Sequence, residues 1–75
     1  MIIANIFYGK TPMALPQGPH LGSNLRAFFG VPDDEHLYLE SGDPRKPDDE
    51  CIMDAAEIQV TSGQKFYSVA KKINR

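Results

Sequence analysis

One short segment of this 75-residue chain repeats with a helical period, and it stands among runs built from strand-forming residues. Leu21, Leu25, Phe28 and Phe29 fall at i, i+4, i+7 and i+8, which lines them along one face of a helix. Gly30 fits the left-handed residue that closes a helix, and Pro32 forbids its continuation. The spacing predicts a helix of about two to three turns, too short to stand alone in water. Leu25 and Phe28 are therefore expected to pack on a sheet, with Ser23, Asn24, Arg26 and Ala27 turned away. Gly22, near the helix start, weakens it slightly.

The strands come from the runs on either side. Ile2–Tyr8 is rich in strand formers, Gly9-Lys10-Thr11-Pro12 is a turn signal, and Met13-Ala14-Leu15 is a second short run. They read as a hairpin, with Asn5 toward water, Ile2, Ala4 and Ile6 toward the core, and Ile3 and Phe7 on the opposite face. Pro16–His20 reads as a loop, broken by two prolines and a glycine. After the acidic connector Asp33-Asp34-Glu35, the run His36–Glu40 alternates cleanly, with Leu37 and Leu39 inward and His36, Tyr38 and Glu40 outward. Ser41–Glu50 is a polar excursion and the segment expected to move most. Cys51-Ile52-Met53 is a short strand or bend. In the last two runs Ile58 and Val60 share one face. Beyond the Ser62-Gly63 turn, Phe66, Ser68 and Ala70 face in and Lys65, Tyr67 and Val69 face out.

Strand runs around one helix predict an α+β fold, a mixed sheet of four to five strands packed on one helix. The simplest topology is a β-grasp. A ferredoxin-like split fold would need a second helical period, which the sequence lacks. The expected organisation is one domain over residues 1–70 followed by a basic tail, Lys71-Lys72-Ile73-Asn74-Arg75.

Charge narrows the function. The net charge of −2 argues against a binder held by phosphate contacts. All ten acidic residues lie between Asp33 and Glu57, whereas Gln59–Arg75 carries four cations and no acid. No apolar run approaches the ~20 residues of a membrane span. Met1–Asn5 has no basic start of the kind secretory signals carry. A single cysteine, Cys51, permits no internal disulfide, which fits a cytoplasmic protein.

Catalytic and metal chemistry finds little support. His20 and His36 lack partners for a metal site, and no His-Asp or His-Asn arrangement activates Cys51, whose commoner role is a small buried apolar residue. Asp48, Asp49 and Glu50 read as a solvated acidic loop. Gly18 and Gly22 do not follow a strand with phosphate-loop spacing. The chain is expected to be no enzyme and to need no cofactor or metal. Tyr38, Tyr67 and Val69, extended by Phe7, are expected to form an outer-face patch that docks a partner or another copy. Cross-strand packing of the two tyrosines is the alternative.

The ordered set Gly9-Lys10, Asn24-Leu25-Arg26-Ala27, Gly30–Glu35, His36–Glu40 and Gly63–Val69, followed by Ile73-Asn74, resembles the bacterial ubiquitin-like proteins of the multi-ubiquitin type. The resemblance implies a β-grasp fold and a protein modifier encoded beside activating-, conjugating- and peptidase-like enzymes in antiphage defence operons. It implies that the C-terminus is adenylated, passed on as a thioester or oxyester, and joined to target proteins. The chain departs from eukaryotic ubiquitin in ending Ile73-Asn74-Arg75 rather than Gly-Gly. Either the mature end differs, or processing trims it, or this domain is not itself conjugated. A non-covalent β-grasp interaction module, self-assembling through strand edges, is the alternative. A sulfur carrier fits less well, because such carriers also end in Gly-Gly.

Overall fold

The structure is a computed structural model and describes residues 1–41, 45 and 48–71. Among them the elements run β1 (Ile3–Tyr8), β2 (Thr11–Pro16), β3 (Gly18–Leu21), α1 (Gly22–Phe29), β4 (Glu35–Leu39), β5 (Glu50–Ile52), β6 (Glu57–Val60) and β7 (Lys65–Ala70). The result is a small α+β domain with a mixed five-stranded sheet and one helix. The sheet order is β2-β1-β7-β4-β5, and β3 and β6 form a separate two-stranded sheet.

Local sequence explains the first hairpin. Gly9 has φ +61°, which a two-residue turn of type II′ requires of its first central residue. That turn sets Tyr8 opposite Thr11 and Ile6 opposite Met13. Ala4 and Ile6 are buried while Ile3, Asn5 and Phe7 are exposed, as the alternation predicts. Ile2 does not join the core. It precedes β1 and is 68% exposed, although Gln17 N–H still donates to its carbonyl at 2.8 Å.

The last strand holds the sheet together. β7 runs parallel to β1, with Phe7 opposite Lys65 and Tyr8 opposite Phe66. On its other side it runs antiparallel to β4, from Glu35 opposite Ala70 to Leu39 opposite Phe66. Both edges of β7 are taken around Lys65 and Phe66, where a hairpin with β6, the run just before it, would begin. The link between them turns toward β1 instead. Gly63 N–H donates to Asn5 O at 2.9 Å, and Asn5 N–H donates to Ser62 Oγ at 3.1 Å.

β6 pairs with β3, the segment expected to be a loop. Proline is tolerated there because β3 needs donors on one side only. Gly18, at φ +129°, makes the break from β2. His20 Nε2 lies 2.7 Å from Pro16 O and ties the two strands locally.

The helix packs by Leu25 and Phe29, which are buried, and by Gly22. Phe28 and Leu21 are each 44% exposed, which corrects the expected burial of Phe28. At about 100° per residue the line through Gly22, Leu25 and Phe29 points at the sheet, and Phe28 lies on the flank. Leu21 ends β3 and precedes the first helical turn. No side chain caps the helix start. Gly22 N–H and Ser23 N–H donate instead to the carbonyls of Ala56 and Asp54, at 2.8 and 3.0 Å. At the other end Gly30 is left-handed, and Val31 N–H donates to Arg26 O at 2.9 Å, which closes the helix as expected. The core joins this helix face to Ala4, Ile6, Leu15, Leu37, Ile52, Ile58, Val60 and Phe66. Phe29 is its hub, stacked on Tyr8 at 4.9 Å and tilted against Phe66 at 5.3 Å.

Candidate interaction surface and tail root

The face of the sheet away from the helix collects side chains from β4 and β7. Because Tyr38 pairs directly with Tyr67, alternation carries both rings to that face. They stack at 5.4 Å with planes 13° apart. Val69 pairs with His36 one step along, and Cys51 of β5 pairs with Tyr38 on the far side. Tyr38 and Tyr67 are half-buried, while Val69 and Phe7 remain exposed at 48% and 39%. Phe7 shares the face, but its direct neighbour on β7 is Lys65; Tyr67 is its diagonal neighbour and Tyr38 lies one strand farther away. Cys51 is half-buried rather than part of the core.

Asp49 anchors this surface. Tyr67 donates its phenol proton to Asp49 Oδ2, and Ser41 N–H donates to Asp49 Oδ1 at 2.8 Å. The two bonds favour the carboxylate, so the Asp49 pKa is lowered, first by the Ser41 amide and then by Tyr67. The same bond holds the phenol proton and pushes Tyr67 up to about 12. The sequence carries no sign of this pair, because a carboxylate in a polar run gives no hint of a partner across the sheet. Asp48, Asp49 and Glu50 are all exposed. Gly42, Asp43, Pro44, Lys46 and Pro47 of the polar excursion lie outside the described residues.

The inner face of β7 carries a polar chain. Tyr8 Oη and Ser68 Oγ are 2.6 Å apart, and Ser68 Oγ donates to Glu35 Oε1 at 2.6 Å. With the serine proton committed to Glu35, Tyr8 is the donor to Ser68. A serine predicted to face inward calls for such partners, and that is the one sequence signal that could have revealed the chain.

The root of the tail is fixed by the connector between α1 and β4. Lys71 N–H donates to Asp34 O at 2.8 Å. Arg26 secures the same connector, donating from its two terminal nitrogens to Pro32 O and Glu35 O, each at 2.8 Å. Its Nε is 3.6 Å from Asp54 Oδ1. Arg26 was expected on the outer side of the helix, yet its side chain is only 16% exposed. Of the expected tail, Lys71 is exposed, and Lys72, Ile73, Asn74 and Arg75 lie outside the described residues.

Among the described residues no group of three or more His, Cys, Asp or Glu side chains gathers in a way that could hold a metal ion. Gly18 and Gly22 serve a strand break and a helix contact. Among the described residues, no helix is long and apolar enough to cross a membrane. Comparison with known proteins finds no matching family model, no matching curated protein and no matching solved structure.

Proposed function

We propose that this chain is a β-grasp, ubiquitin-like modifier whose C-terminal segment is activated by a partner enzyme and joined to target proteins. The observation that carries this reading is the position of β7. The last strand lies in the middle of the sheet, between a parallel neighbour and an antiparallel one. The strand is paired on both sides at Lys65 and Phe66, and its exit end, Val69 and Ala70, is paired with His36 and Glu35 of β4, so a segment leaving it starts from a fixed point. A substrate whose own terminus must enter an enzyme channel needs that combination of rigid base and extended end. The domain supplies the base, and the chemistry of activation resides in the enzymes.

The resemblance in sequence adds partners and setting to this reading. Activating-enzyme-like and conjugating-enzyme-like proteins, a processing peptidase and target proteins would act on the tail, in bacterial antiviral defence. The test is to incubate the purified chain with ATP and an adenylating enzyme encoded beside it, and to measure intact mass. A modifier forms an adenylate or an enzyme-bound ester. Removal of residues 72–75 should abolish that product and leave the melting temperature nearly unchanged. Equal product from the shortened chain would refute the reading.

A second reading is favoured by the Tyr38–Tyr67 stack with exposed Val69 and Phe7 beside it. Here the domain is a non-covalent interaction module that binds a partner or another copy through that face. A Tyr38→Ala, Tyr67→Ala double variant separates docking from sheet packing. Docking requires an unchanged far-UV CD spectrum with lost affinity for the activating enzyme or lost self-association in light scattering. Unchanged binding assigns the stack to the sheet alone.

A further inference from the structure

The two sheets leave β2, β5, β3 and β6 as edge strands, and an open edge is a row of backbone donors and acceptors on which another strand can build. The first three are poor templates. Tyr8 and Thr11 close the first turn as a bonded pair, bonded pairs recur at every second residue, and Gln17 N–H donating to Ile2 O continues the series. The backbone of Pro12, Ala14 and Pro16 therefore points outward, and the two prolines have no N–H to offer. At β3 the outward position is Pro19, and β5 is only three residues long. β6, Glu57–Val60, keeps every donor.

Gln64 covers that edge. Gln59 stands opposite Pro19, which has no N–H, so the backbone of Gln59 points away from β3, and that of Thr61, two residues on, points the same way. Gln64 Nε2 donates to Gln59 O at 2.9 Å, and Thr61 N–H donates to Gln64 Oε1 at 3.0 Å. One residue of a parallel strand lying beside Val60 would make the same two bonds, its N–H to the carbonyl of Gln59 and its C=O from the amide of Thr61. A side-chain carboxamide carries the same donor and acceptor as a peptide group, so Gln64 acts as a strand one residue long. The turn that carries it is fixed separately. Phe7 N–H donates to Gln64 O at 3.0 Å, Gly63 N–H to Asn5 O at 2.9 Å, and Asn5 N–H to Ser62 Oγ at 3.1 Å.

We propose that the Gln64 carboxamide guards the β6 edge, and that β6, once uncovered, pairs with β6 of a second copy of this chain. The strand is complementary to itself. Antiparallel pairing about a twofold axis at Gln59 sets outward backbone against outward backbone, Gln59 to Gln59 and Glu57 to Thr61, so that no like charges stand opposite. Ile58 then lies beside Val60 of the second copy in the closer, non-bonded pair. The guard is independent of the modifier reading and of the Tyr38–Tyr67 face.

The test compares the full chain with a Gln64→Ala variant and a Gln64→Ala, Gln59→Pro variant, without any enzyme. In the parent the side-chain amide of Gln64 should exchange its protons about fivefold more slowly than that of the exposed Gln17, the factor that one net hydrogen bond supplies. The Gln64→Ala chain should fold and, in sedimentation, self-associate more strongly than the parent. A sample of it that mixes labelled and unlabelled copies should give a nuclear Overhauser contact between the α-protons of Ile58 and Val60 in different copies. Gln59→Pro removes an outward donor at the centre of that pairing and no bond to β3, so it should return association to the level of the parent. Association of Gln64→Ala no stronger than the parent's, or undiminished by Gln59→Pro, would overturn the proposal, as would the Ile58–Val60 contact in the parent itself. A Gln64→Ala chain that does not fold would assign the carboxamide to holding the turn and overturn the guard. So would a Gln64 side-chain amide in the parent that exchanges as fast as that of Gln17, a measurement that needs no variant.

Discussion

Gly22 packs so tightly against the backbone at Met53 that a Cβ on it would lie 1.9 Å from the Met53 carbonyl oxygen and 2.9 Å from Ile52 Cγ2. The first of these obstacles is main chain, which cannot swing aside. This approach is what lets Gly22 N–H reach Ala56 O and Ser23 N–H reach Asp54 O, satisfying the helix start without a side-chain cap. Alanine would help the isolated helix by about 1 kcal/mol. In this domain Gly22→Ala should instead destabilise by about 2 kcal/mol or more, because the 53–56 segment must move away. Urea titration reads this directly, and a midpoint equal to or above that of the parent would show that the contact yields easily.

The two adjacent phenylalanines should behave differently. Phe29 is buried between Tyr8 and Phe66, whereas Phe28 is 44% exposed and meets Phe29 edge-on at 5.6 Å. Phe29→Ala should cost about 3–5 kcal/mol, most of the stability a domain of this size has. Phe28→Ala should cost no more than about 1.5 kcal/mol. Thermal melts of the two variants decide the matter, and equal losses would contradict the assigned helix face.

The Asp49–Tyr67 bond gives the domain a pH dependence at both extremes. Tyr67 has its folded pKa raised from 10.0 to about 12, so its contribution is complete below pH 10 and is lost as pH rises through 12. Asp49 has its folded pKa lowered from 3.8, so its contribution is present above that value and is lost as pH falls below it. Between these limits the bond does not change. Titration of tyrosinate absorbance should show one of the three tyrosines ionising late. Asp49→Asn should bring that late step back toward pH 10, and an unaltered titration would rule out the bond as its cause.

Arg26 should resist its conservative replacement. A guanidinium reaches Pro32 O and Glu35 O at once from two nitrogens in a fixed plane, whereas a lysine ammonium is a single point at the end of a flexible stem. Arg26→Lys should lower stability by about 1–2 kcal/mol, the worth of one charged hydrogen bond left unmade. It should also speed hydrogen exchange of the Lys71 amide, because the connector that carries Asp34 O would loosen. Unchanged exchange at Lys71 would separate the arginine from the tail root.

What the sequence determined by itself is what depends on near neighbours. The alternation of Ile3–Tyr8, Glu35–Leu39 and Lys65–Ala70 assigned Ala4, Ile6, Leu37 and Phe66 to the interior and Tyr38 and Tyr67 to the same outer face. The end of the helix at Gly30 was equally legible, since a left-handed residue before a proline is a local instruction. Tertiary structure decided the rest, because strand pairing depends on which edges are free once the chain has folded. β7 has both edges filled at Lys65 and Phe66, next to the turn, so β6 pairs with β3, and a segment that holds Pro19 and reads as a loop becomes a strand. Phe29 is buried rather than Phe28 because the helix is rotated to bring Gly22 onto the Met53 carbonyl, a contact between residues thirty-one positions apart. The bonds of Asp49 to Tyr67 and of Arg26 to the connector arise the same way: each group is ordinary in its own segment and acquires its partner only when the sheet and helix are assembled.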